Sequence, residues 1–143
     1  MPKLIELGAT AFPTYRQMLD DPATKPLIAA RILYTIQRVP GDRSEFLPYA
    51  IRGLTARRYT LAIGSINFIA EVGGAADAPL LLASVNHPQS EVRYAAANAL
   101  SKIGTSKEAA WLTVWLERDG AGAGPDVRKA VSDAIAETRR KGG

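Results

Sequence analysis

The sequence predicts an all-α fold, a solenoid of two-helix repeats, and three observations carry that prediction. Alanine, the strongest helix former, occurs 24 times in 143 residues. Several segments place apolar residues at i, i+3 or i+4, and i+7, which is the helical period. One such pattern also returns along the chain. Residues 60–73 (TLAIGSINFIAEVG) superpose on 91–104 (EVRYAAANALSKIG) and 126–139 (DVRKAVSDAIAETR), at offsets of 31 and 35 residues. Leu61, Val92 and Val127 coincide, as do Ile69, Leu100 and Ile135, and Asn67, Asn98 and Asp133. A helix pair of this size cannot bury its apolar stripe alone, so neighbouring pairs must stack.

The elements follow in order. A first helix is predicted at 10–20, with Phe12, Tyr15 and Leu19 as its stripe and Asp21-Pro22 as its stop. The second, 25–39, is a looser copy of the repeated pattern, placing Ile28 and Ile36 on Val92 and Leu100 and ending at Pro40-Gly41. Ser44–Leu54 occupies the short-helix slot and gives a helix at 43–54, and the first clear copy gives 57–72, ended by Gly73-Gly74. A helix at 75–86 repeats the first stripe as Ala78, Leu81 and Val85, up to the His87-Pro88 turn. The Ala-rich copy gives 89–103, with Ala95, Ala96 and Ala99 on the core side beside Val92, Leu100 and Ile103. A helix at 106–118 repeats the short stripe as Ala109, Leu112 and Leu116, and a last helix spans 125–140. Gly120–Gly124 reads as a flexible loop between the last two, because no strand precedes it and no Lys-Ser/Thr follows, as a phosphate loop requires. The chain is thus expected to be one domain over 1–143, with repeats at about 9–40, 41–73, 74–104 and 105–140. Leu4, Leu7 and Gly8 fall on Leu100, Ile103 and Gly104, so the chain opens at the tail of a second helix. The expectation is a fragment of a longer array, with a capping stub at Pro2–Gly8 as the alternative.

Asn86–Gly104 (NHPQSEVRYAAANALSKIG) resembles the HEAT repeat, in particular the short bacterial form also called the phycobilisome-lyase HEAT-like repeat. The shared features are a Pro-containing turn, Val-Arg, a run of alanines, Ala-Leu, and Ile-Gly at the helix end; Pro125–Ile135 (PDVRKAVSDAI) repeats them. The resemblance covers nearly the whole chain, strongest in the second half and weakest before residue 60, where Val-Arg is missing. It implies a right-handed α-α superhelix (an armadillo-type α-solenoid) of about four two-helix HEAT-like repeats, acting as an interaction scaffold. The second or B helix of each pair would line a concave face and the first or A helix a convex one. It also implies structural roles for Arg93 and Arg128, pairing with acidic turn residues such as Glu91, Asp119 and Asp126.

Composition removes whole classes of chemistry. With no cysteine there are no disulfides, thiolate metal sites or cysteine nucleophiles, and the single histidine, His87, cannot build a multi-histidine site. No nucleophile–base spacing is present, so no catalytic residue, metal ligand or cofactor is expected and the protein is read as a non-enzyme. No apolar run of 18 residues occurs and the N-terminus lacks a secretory pattern, which makes a soluble, cytoplasmic protein the default expectation, and the resemblance implies a bacterial one. The net charge of +4 is spread thinly, with clusters only at Arg57-Arg58 and Arg139–Lys141, whereas a phosphate-binding face concentrates its cations.

The expected binding face takes the non-core B-helix positions: Tyr34 and Arg38; Asn67 and Glu71; Tyr94, Asn98 and Lys102; Lys129, Asp133 and Glu137. Its three basic and three acidic side chains, with amides and tyrosines, suit a peptide or protein surface. Trp111 and Trp115, four residues apart, are expected to share a helix face, packing beneath the terminal helix to close the end of the core. The leading expectation is therefore a monomeric, non-catalytic scaffold that binds a protein or peptide partner on the concave B-helix face. The alternatives are a nucleic-acid-binding HEAT-like domain, by analogy with HEAT-like DNA glycosylases, and a subunit of a chromophore lyase.

Overall fold

A computed structural model of the chain describes residues 8–142, and among these every regular element is helical. The chain divides into two compact units, the first ending at Val72 and the second beginning at Gly73.

In the first unit a 3-10 turn, Gly8–Ala11, leads into α1 (Phe12–Asp20), followed by α2 (Pro26–Gln37), α3 (Leu47–Gly53) and α4 (Tyr59–Val72). Prolines sit in the first turns of α1, α2 and α3, where the amide they lack has no intrahelical partner anyway. Between α1 and α2 the Asp21 carboxylate accepts the amide of Ala23 at 2.9 Å, closing the turn that the Asp-Pro pair announces. Gly41 has φ of +99°, a left-handed conformation open to glycine at little cost, and it reverses the chain after α2. Arg43 then folds back to donate to the Gln37 carbonyl, covering the end of that helix.

The core of this unit gathers Tyr15, Ile32, Leu33, Ile36, Phe46, Ile66, Phe68 and Ile69. Phe12 meets Phe46 edge-on with ring centroids 4.9 Å apart. Two departures stand out. Ile28, aligned with a core valine, is 36% exposed, because the α2 core stripe begins one turn later at Ile32. The helix expected at 43–54 opens as a separate 3-10 turn, Ser44–Phe46, before α3.

The second unit begins with two 3-10 segments, Ala75–Leu81 and Ala83–Asn86, where one helix over 75–86 is expected. Pro79 lies inside the first and can donate no hydrogen bond, so this stretch closes on shorter i→i+3 bonds such as Leu82 N–H to the Pro79 carbonyl. The expected stripe of Ala78, Leu81 and Val85 is nevertheless fully buried. Next come α5 (Ser90–Ile103), α6 (Ser106–Arg118), a 3-10 turn at Gly120–Gly122, and α7 (Pro125–Gly142). The turn replaces the featureless loop expected there.

α5 buries Val92, Ala95, Ala96, Ala97, Ala99 and Leu100, and α7 packs beside it with Val127, Val131, Ala134 and Ile135. α6 starts on a reciprocal cap. The Thr105 hydroxyl accepts the Lys107 amide, and the Glu108 carboxylate accepts the Thr105 amide at 2.7 Å. Leu116, expected in the core, is only half-buried, and Trp115 takes its place. Leu4 and Leu7, which carried the reading of the chain's opening, lie outside the described residues.

Candidate functional site

The B-helix candidates fall into two groups, one in each unit. In the first unit Tyr34 on α2, Arg38 just past its C-terminal end, and Asn67 and Glu71 on α4 are all exposed. Arg38 donates to the Tyr34 hydroxyl at 2.7 Å, and its guanidinium carbon stands 5.5 Å from the ring centroid, a local cation–π pair. Nothing hydrogen-bonds Asn67 or Glu71 to that pair among the described residues.

In the second unit the candidates frame a cleft. α5 and α7, separated by the full length of α6 in the chain, lie side by side and leave a concavity of about 720 Å³ between their outer edges. Tyr94 and Asn98 line it from α5, and Asp133 lines it from α7. Tyr94 is 47% exposed, held out by a helix whose opposite side is packed with alanines. Lys129 donates to Asp133 at 2.8 Å, one helical turn along α7. That hydrogen bond, then the carboxylate's charge, raises the lysine pKa above its ordinary value, and Tyr94 across the cleft pushes in the same direction.

Lys102 and Glu137 sit on the same two helices, outside the cleft lining. Glu137 is taken by Arg140, whose hydrogen bond holds its carboxyl below the ordinary range, with Lys141 4.0 Å away. Lys141 also donates to the Ser101 and Lys102 carbonyls at 3.0 and 3.1 Å, and Arg139 donates to the Thr113 hydroxyl. The C-terminal basic cluster is thereby largely engaged within its own unit.

Sequence reasoning left part of this cleft out of the site. Glu91 and Asp126, assigned as partners for arginines, line the cleft instead, together with Ala123–Pro125 from the glycine-rich turn. The signal was available, since Glu91 and Asp126 occupy the same register just before Val92 and Val127. The arginines are placed differently from the expected acid pairing. Arg93 donates to the carbonyls of His87 and Pro88 at 2.7 and 3.1 Å and to that of Ala123 at 3.4 Å, tying one repeat's turn to the next. Arg128 is exposed and forms no ion pair among the described residues. The tryptophans separate as well. Trp115 is 5% exposed and donates to Asn86 Oδ1 at 2.7 Å, whereas Trp111 is 37% exposed. Leu112, one residue after Trp111, is fully buried and shares the inner face with Trp115.

Successive helix pairs at a period of 31–35 residues, with an exposed cleft between the second helices of the last two, define a helical-repeat protein. A family model described as HEAT repeats matches residues 48–136, and the chain belongs to the HEAT repeat family. No curated protein and no solved structure matches it. HEAT repeats serve as protein-interaction scaffolds and are typically non-catalytic. Among the described residues no helix is long and apolar enough to cross a membrane.

Proposed function

We propose that this protein is a non-catalytic interaction module that binds a peptide or protein segment along its B helices, with the α5–α7 cleft as the principal contact. The observation that carries this reading is the cleft itself, lined by an exposed tyrosine, an amide and charged side chains from two consecutive repeats. Tyrosine offers a large contact area with few rotamers to immobilise, while amides and charges orient a partner chain. A nucleic-acid reading draws less support. The cations it needs at Arg139–Lys141 are committed to neighbouring carbonyls, a hydroxyl and Glu137, and phosphate binding depends on several free cations on one face. No observation favours the chromophore-lyase alternative.

The test is a binding titration of the native partner beside a thermal melt. Tyr94→Ala combined with Asn98→Ala weakens binding by about tenfold or more, as expected for a central aromatic contact. The melting temperature stays nearly unchanged, because both side chains are exposed. Unaltered binding by that variant places the contact elsewhere.

A further inference from the structure

The α5–α7 cleft has an unbalanced charge. Three carboxylates line it, Glu91, Asp126 and Asp133, against one cation, Lys129. Lys129 is already paired with Asp133. Glu91 accepts only the Ser90 hydroxyl, at 2.8 Å, and Asp126 has no hydrogen bond or ion pair among the described residues. Arg93 reaches one end of the cleft but turns its guanidinium to three carbonyls. Two carboxylates therefore remain free to meet a cation, with the exposed Tyr94 ring between the helices and the Asn98 amide one turn along α5. An ammonium or guanidinium over an aromatic face, flanked by carboxylates, gains both attractions at once. An asparagine amide can both donate to and accept from an extended backbone.

Resting on the reading that this face binds protein, we infer that the α5–α7 cleft takes an extended peptide segment carrying arginine or lysine, with Glu91, Asp126 and Tyr94 receiving the cationic side chain. The selectivity is electrostatic, so binding falls with salt.

The experiment titrates the full ¹⁵N-labelled chain with a capped Gly-Ser peptide bearing two arginines, and with the same peptide bearing two glutamates. The arginine peptide shifts the amide resonances of Tyr94, Asn98, Asp126 and Ala130, and the glutamate peptide leaves them in place. Glu91→Gln with Asp126→Asn weakens the arginine peptide by about tenfold, and about 0.5 M salt does the same. Glu117→Gln with Asp119→Asn, outside the cleft lining, leaves the affinity unchanged. The inference is overturned if neutralising Glu91 and Asp126 changes nothing, or if the shifts gather outside the cleft. It is also overturned if the cleft resonances move on concentrating the chain alone, which makes a second copy the occupant. A glutamate peptide that shifts the cleft as strongly overturns the charge assignment and leaves the docking face standing. A native partner indifferent to Tyr94→Ala with Asn98→Ala removes the docking face itself.

Discussion

At the scale of single residues, Gly53 and Ser65 let α3 and α4 come close together. A Cβ added at Gly53 on α3 would stand 2.0 Å from the Ser65 hydroxyl oxygen and 3.2 Å from its Cβ on α4. Both positions are buried, and the Ser65 hydroxyl has no hydrogen-bond partner among the described residues. A hydroxyl taken out of water without a partner costs free energy, and an extra methyl in a filled crossing strains it. Gly53→Ala is therefore expected to destabilise by about 1–3 kcal/mol. Ser65→Ala is expected to stabilise by about 1 kcal/mol, and in the Gly53→Ala background it recovers part of the loss. Denaturant melts of the three variants check this; a stability loss on Ser65→Ala removes the argument.

At the scale of elements, α6 shows how one helix presents two unlike faces. Its inner face buries Ala109, Leu112 and Trp115, and Trp115 donates its indole N–H to Asn86 in the preceding 3-10 segment. Its outer face carries Trp111 and Val114, both exposed. A buried indole contributes through area and packing, and its lone donor needs an acceptor. Trp115→Ala is expected to cost about 3–5 kcal/mol through the cavity it leaves. Trp111→Ala stays within about 1 kcal/mol, as surface substitutions away from such features do. Parallel thermal melts decide the matter, and equal losses would mean that the two rings share one environment after all.

At the scale of the whole molecule, repeat proteins gain stability from each pair and from nearest-neighbour contacts, so damage stays local. The first unit's core gathers around Phe46, Ile66 and Phe68, and the second unit's around Val92, Leu100 and Leu112. Leu100 is fully buried on α5, where α7 packs closely, and truncating it leaves a cavity. Leu100→Ala is expected to cost about 2–5 kcal/mol. In native-state hydrogen exchange it should lower amide protection in α5, α6 and α7 more than in α2 and α4. Equal loss in both units would show that they unfold as one.

What the sequence determined by itself was whatever depends on neighbours along the chain. The period of Val92, Ala96 and Leu100 marks a helix face wherever that helix goes, and the repeat offset marks which helices are equivalent. The helices, their turns and most of the core of the second unit were legible on that basis, as were Tyr94, Asn98 and Asp133 as side chains left outside it. Periodicity could not decide between faces that are equally apolar, so Trp115 rather than Leu116 took the core position. It could not weigh the missing amide of Pro79 against an apolar stripe, and a helix became two 3-10 segments. Nor could it bring Glu91 and Asp126 together. They lie 35 residues apart and line one cleft because α5 and α7 pack side by side, a relation set by how closely the alanines of α5 let its neighbour approach. Local pattern records which side of a helix is buried; only the packed structure decides what the other side faces.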